Sequence, residues 1–167
     1  MILSIQTGYD NHILRQKAKE VKEVTAQIKQ LVLDMIETLE ANNGLGLAAP
    51  QVGQLLQIII AKPEPEKEAL VLINPQIKKT SRKKEIMEEG CLSLPNISVP
   101  IERPVKITVQ GLALNGQLIK IKAKGLLARI IQHEIDHIDG TLILDHVSHL
   151  KRNLYRKKVE KLMKKAR

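Results

Sequence analysis

The chain contains no Phe and no Trp, and its only Tyr residues are Tyr9 and Tyr155. That argues against modules that bind single strands by stacking bases on aromatic rings. Cys91 is the one cysteine, which excludes a disulfide-stapled secreted fold and points to a reducing compartment. No basic stretch followed by a long apolar run opens the chain. The longest apolar stretch, 55–61, is broken by Gln57 and falls far short of a membrane span. The expectation is a soluble, cytoplasmic protein without a membrane partner. What the chain does have is aliphatic bulk and positive charge. Apolar residues make up 43% of its 167 residues, enough for one core in a single domain over residues 1–167. Lys and Arg total 27 against 18 Asp and Glu, a net charge of +9 that raises nucleic acid as a partner.

Periodicity divides the chain into a helix, a strand-rich middle and a helical end. Ile28, Leu31, Val32, Met35, Ile36 and Leu39 fall at spacings of three and four, predicting an amphipathic helix from Thr25 to Asn42. The runs 55–61 and 69–74 have strand length, and Val105, Ile107 and Val109 alternate with polar residues. Asn115-Gly116 between that strand and the 118–121 region is a tight-hairpin signal. Residues 126–138 are apolar on most of the helical circumference, predicting a buried helix that stops at Gly140. A further apolar run, 142–144, leads into a basic helix over 150–167, with Leu150, Leu154, Tyr155, Val159, Leu162 and Met163 as its apolar stripe. The class is α+β.

The buried helix carries His133-Glu134-Ile135-Asp136-His137. Imidazoles at i and i+4 share one helix face and can converge on a divalent metal, with the intervening Glu beside a metal-bound water. Burying two His, Glu134 and Asp136 among aliphatic residues also demands partners, and a metal supplies them. The alternative is a chance match. Two histidines need a third protein ligand. The longer zinc-protease pattern demands His at 143, where this chain has Ile143, and the only downstream Glu is Glu160 in the basic segment. Cys91 remains. A lone cysteine is by default a small core hydrophobe. As a thiolate it gives a Cys/His/His set with an open fourth position, the composition of a catalytic site.

Gly44-Leu45-Gly46-Leu47-Ala48-Ala49-Pro50-Gln51 matches a loose dinucleotide pattern, but a helix precedes it and Pro50 and a strand follow, so that reading fails. It is either a close-packed turn or a cleft-lining segment in which Gln51 offers an amide donor.

These segments together carry a resemblance. G-x-G-x-A-A-x-Q at 44–51, E-G-C-L-S at 89–93 and Q-H-E-x-D-H at 132–137 match, in order and without substitution, the three signature motifs of the peptide deformylases. Length and spacing resemble the bacterial type with a helical carboxy terminus. The resemblance implies a deformylase-like α+β fold, with mixed or antiparallel sheets around a central buried helix bearing H-E-x-x-H, and a C-terminal helix. It implies removal of the formyl group from the formyl-methionine that begins newly made proteins. Cys91, His133 and His137 would hold one Fe(II) per chain, with Zn, Ni or Co as substitutes. Glu134 would act as general base and acid, and the Gln51 amide and Leu92 backbone N–H would stabilise the oxyanion. Gly46 would offer backbone to the peptide, while Leu45, Glu89 and Ile130 would shape the methionine pocket. Some family members have an Arg soon after the cysteine motif that contacts the peptide; here the segment is Pro95-Asn96-Ile97-Ser98-Val99, and the next Arg is Arg103.

The charge is uneven along the chain. Residues 151–167 hold nine basic residues against Glu160 alone, whereas the remainder has eighteen basic and seventeen acidic. The terminal helix is either a solvated face or a device that holds the enzyme on ribosomal RNA phosphates. No sequence-specific nucleic-acid contact is expected.

Overall fold

The computed structural model describes residues 1–165, apart from the side chains of Met163 and Lys165. Met163 of the expected apolar stripe and Arg167 of the expected helix thus lie outside what is described. The elements run α1 (Ala26–Ala41), β1 (Gly46–Ala48), β2 (Ile58–Ala61), β3 (Leu70–Thr80), β4 (Lys84–Cys91), β5 (Leu94–Pro104), β6 (Lys106–Leu112), β7 (Leu118–Lys124), α2 (Gly125–Ile138) and α3 (His149–Lys165), with 3-10 turns at Ala49–Val52 and Ile143–His146. Strands β1-β2-β3-β6-β7 form one antiparallel sheet in that order, and β4 and β5 form a separate two-stranded hairpin inserted between β3 and β6.

Local chemistry sets the helix ends. Thr25 caps α1 by accepting the Ile28 N–H at 3.4 Å, and Asn42 closes it. Helix α2 stops where expected: Gly140 adopts a left-handed φ of 75°. A Cβ there would stand 2.7 Å from the Arg15 carbonyl oxygen, so glycine is required both for the turn and for the approach of the N-terminal segment.

The five-stranded sheet is covered on both faces. Ile59, Leu72, Ile107, Val109 and Ala123 pack on α2, whereas Leu47, Ile58, Ile60 and Ile73 pack on Val32, Met35 and Leu39 of α1. A third cluster joins Ile97, Val99 and Ile101 of β5 to Leu142, Ile143, Leu144 and Val159. Helix α2 is buried, as its composition predicts, and bridges the sheet to the hairpin.

Several expectations need correction. Strand β3 runs on to Thr80, six residues past the expected end, and Gly46–Ala48 is an edge strand rather than a turn. The run 142–144, to which its pattern assigns no conformation, enters a 3-10 turn. The hairpin β4–β5 has no counterpart in the apolar pattern. Pro95, Pro100 and Pro104 fit β5 because each strand of a two-stranded sheet is an edge, where a missing N–H need not break a ladder. On α3, Tyr155 and Val159 join the β5 cluster, but Leu150 and Leu154 are 72% and 63% exposed, so the stripe docks only in part. Among the described residues no helix is long and apolar enough to cross a membrane.

Candidate active site

Three elements bring the chemistry together. Helix α2 presents His133, Glu134 and His137 on one side, the last residue of β4 presents Cys91, and the 3-10 turn after β1 presents Gln51. All but Cys91 are at least 92% buried. The donor atoms of Cys91, His133 and His137 lie within 4.8 Å of one another, and Cys91 Sγ is 3.2 Å from His137 Nε2. One divalent ion with bonds of about 2.0–2.3 Å can span such a set.

His133 and Gln51 are oriented from behind. His133 Nδ1 donates to Glu89 Oε2 at 3.0 Å, which leaves its Nε2 as the ligand atom. Glu89 is itself clamped: Arg103 donates to both carboxylate oxygens at 2.6 and 2.9 Å, and Arg129 donates to Oε1 at 2.7 Å. Burial alone would raise the Glu89 carboxyl, but His133 and Arg103 hold it far below the usual carboxylate range. Arg103 continues to Asp136 at 2.9 Å, and Asp136 meets His146 at 2.7 Å. Gln51 is fixed through its Oε1, which accepts the Ala48 N–H at 2.8 Å. Its Nε2 therefore faces Ser93 Oγ at 3.2 Å and Cys91 Sγ at 3.6 Å.

Burial opposes ionisation of Cys91, yet His137 and His133 beside it bring the thiol well below its ordinary value, favouring the ligating thiolate. Burial also raises Glu134, to about 7 against the opposing pull of the two histidines. Glu134 Oε2 and His137 Nδ1 are buried without a hydrogen-bond partner. An orphaned carboxylate oxygen beside a thiolate and two imidazoles is an arrangement in which a bound ion and its water supply the missing partners. The residues present fit a divalent metal of the Zn or Fe type.

Glycine at 46 lets β1 reach the helix. A Cβ there would collide with the Glu134 carboxylate and stand 2.7 Å from Ile130 Cγ2. A cleft of about 590 Å³ opens from this point between β1, the β4–β5 hairpin and α2.

The polypeptide deformylase family model matches residues 3–153. The chain belongs to the polypeptide deformylase family. It is 47% identical over 154 residues to the peptide deformylase of Thermodesulfovibrio yellowstonii, covering 90% of this chain and 92% of that one. The crystal structure of peptide deformylase from Ehrlichia chaffeensis superposes with a TM-score of 0.92 at 40% identity, covering 99% of each chain. A peptide deformylase from Legionella pneumophila gives a TM-score of 0.93 at 37% identity, covering 100% of this chain and 99% of that one. Peptide deformylases are metalloenzymes, and Cys91, His133 and His137 could hold the ion here.

Within this deformylase, every residue singled out from the sequence for substrate or oxyanion contact lines the cleft: Leu45, Gly46, Gln51, Glu89, Leu92 and Ile130. Leu45 stands at the rim, 43% exposed, while Ile130 is buried. Glu89 is a wall whose carboxylate is committed to three donors. Exposed Met87 and Leu126 line the same space and escaped the sequence reading. So did Arg129, although its position one turn before His133 was the available signal. Asp136 finds Arg103 and His146 as partners, not the metal set. Arg103 is buried and committed, so it does not replace the missing peptide-contacting Arg. The zinc-protease alternatives lose their ligands: Ile143 is buried in the third cluster, and Glu160 pairs with Arg156 on α3.

Proposed function

We propose that the chain hydrolyses the formamide bond of N-terminal formyl-methionine on newly made proteins. The observation that carries this reading is the orphaned Glu134 carboxylate, buried against the Cys91/His133/His137 set at the head of a cleft whose rim is mostly apolar. One Fe(II), with Zn, Ni or Co as substitutes, would supply Lewis acidity and make a water acidic near neutral pH. Cys91, His133 and His137 would hold it. Glu134 takes the proton from the attacking water and delivers it to the leaving amine, and a carboxyl raised to about 7 serves both transfers near neutrality. The negative charge that develops on the formyl oxygen meets the preoriented Gln51 amide and the Leu92 N–H.

Gly46 lies on an edge strand, so its backbone is placed to pair with an extended peptide. Leu45 and Ile130, with Glu89 as a wall, enclose the methionine side chain. The setting is cytoplasmic, and α3 holds the enzyme on the ribosome through RNA phosphates. Of its basic residues, Arg152 is already committed to the carbonyls of Leu144 and Asp145, and Arg156 to Asp10 and Glu160.

The test is anaerobic loading with Fe(II), or loading with Ni(II), followed by release of free amine from a formyl-methionyl peptide. Glu134→Gln should bind the metal and lose nearly all turnover; undiminished turnover removes Glu134 as the base. Cys91→Ser should weaken metal binding, and unaltered metal content with unaltered turnover removes Cys91 from the site.

A further inference from the structure

The charge of the body is close to balanced in sum but not in space. Helix α1 packs on the β1–β2 end of its sheet face and leaves the β6–β7 end bare. Register places the outward side chains of that end in rows. Lys79 lies beside Thr108, and Thr108 beside Lys122; Lys106 lies directly opposite Lys124, and Gln110 opposite Lys120. The alternate residues Ile107, Val109 and Ala123 point into the core. No acidic residue occurs from 69 to 84 or from 103 to 133. Among the described residues, Lys79, Lys106, Lys120, Lys122 and Lys124 are all exposed, and the lysine ion pairs are made elsewhere, by Lys17, Lys62, Lys67 and Lys84. A groove of about 410 Å³ runs along these rows.

Lysines on an edge strand guard it against pairing with another sheet, and Lys120, Lys122 and Lys124 do so on β7. Lys79 lies where β3 has run past β2 and can serve the same purpose, but Lys106, on β6 between β3 and β7, guards no edge. Moreover, like charges directly opposite across a ladder are destabilising. Lys106 and Lys124 form such a pair, and an anion lying between them would reverse its sign.

We propose that this sheet face binds the phosphate backbone of double-helical RNA. Lysines two residues apart on β7 repeat every ~6.8 Å, and Thr108, Gln110 and Lys79 continue the donors onto neighbouring strands, giving an extended array without a carboxylate. Lys, Thr and Gln are donors that contact phosphate oxygens without reading sequence. Neither tyrosine lies on this face, so there is no platform for stacking unpaired bases. The commitment to RNA over other polyanions rests on the proposed function, since chains bearing formyl-methionine leave a particle rich in RNA. The surface is separate from α3, and the two would clasp RNA independently.

The test is fluorescence anisotropy of an RNA duplex of arbitrary sequence with the full chain, between about 50 and 200 mM salt. Replacing Lys106, Lys122 and Lys124 together by Gln should reduce the magnitude of the log–log salt slope by about 2–3, at roughly 0.9 per phosphate contact, while the triple Arg variant keeps the slope. An unchanged slope in the Gln variant overturns the proposal, as does binding to phosphatidylserine vesicles with none to RNA. Lysine acylation of the native chain gives the same answer without a variant. Duplex RNA should protect Lys79, Lys106 and Lys122, and protection confined to α3 overturns the proposal. Formyl-peptide turnover is read separately without RNA, so loss of the deformylase reading and loss of the RNA surface give different results.

Discussion

Replacing Glu89 by Gln tests whether the buried carboxylate holds the metal ligands in place. Glu89 accepts four hydrogen bonds: two from Arg103, one from Arg129 and one from His133. The Gln amide keeps one oxygen and aims an NH2 at donors, so at least one arginine contact or the His133 contact is lost. Arg103 retains Asp136, and Arg129 retains the carbonyls of Ile101 and Glu85, so neither guanidinium is stranded. Breaking a buried ion pair on one side costs about 3–5 kcal/mol. For a chain of this length that corresponds to roughly 6–20 °C in Tm. The release of His133 Nδ1 acts separately, weakening metal affinity by about 10–100-fold, or roughly 1.4–2.7 kcal/mol. Thermal unfolding of the metal-free protein reads the first effect, and chelator competition for Zn(II) reads the second. A variant that melts with the parent and competes equally for Zn(II) would refute the reasoning. Loss of stability with unchanged metal affinity would refute the part that runs through His133.

Gly46→Ala drives a methyl into the Glu134 carboxylate and Ile130. It should cost about 1–3 kcal/mol by urea unfolding and lower turnover by roughly 100-fold or more while metal content stays near one per chain, and near-parental turnover would contradict the close approach. Asp145 supplies a pH test away from the metal site. Burial raises its carboxyl, but Arg15, the Leu142 N–H and Tyr9 bring it below the ordinary value. A depressed carboxyl contributes stability above the unfolded pKa of about 3.9, and loses it as pH falls through the lower folded value. Asp145→Asn should therefore flatten the dependence of Tm on pH below about 4, and parallel curves for the two proteins would count against the Arg15 pairing.

The legible parts of the fold are those whose signals are local. Helix α1 sits within a residue of its expected ends because its apolar spacing, its Thr25 cap and its Asn42 stop are all contained in it. The β6–β7 hairpin closes through Asn115-Gly116, where the Ala113 N–H donates to the Gln117 carbonyl at 2.8 Å. The hairpin β4–β5 depends on its surroundings. Ile97, Val99, Ile101 and Arg103 alternate inward along β5, but the alternation ends in an arginine and is interrupted by prolines. On β4, Ile86 and Met87 remain exposed, so apolar content there does not mark the core. Strand β3 exceeds its apolar run for a related reason: past Asn74 it is largely polar and solvated, and pairing with β6 extends it.

The candidate site divides along the same line. Spacing on α2 marks His133, Glu134 and His137, and the three motifs together mark Cys91 and Gln51, because donors to one ion must be of the right type. Arg103 carries no such mark, and Arg129 only its place one turn before His133. They lie 26 residues apart, on a strand and on a helix, and meet only at Glu89. Their pairing meets part of the cost of burial without a metal: Asp136 is neutralised by Arg103, and Glu89 by both arginines. What remains is Glu134, whose Oε2 finds no hydrogen-bond partner among the described residues. That separation is what the chemistry requires. A carboxylate clamped by arginines is held ionised and cannot cycle a proton, whereas burial raises one held apart from them, which suits it to proton transfer. The same helix therefore carries a fixed charge at its back, through Arg129 and Glu89, and a titrating one at its front. Gly46 is the residue that lets β1, the edge proposed to pair with the peptide, approach it.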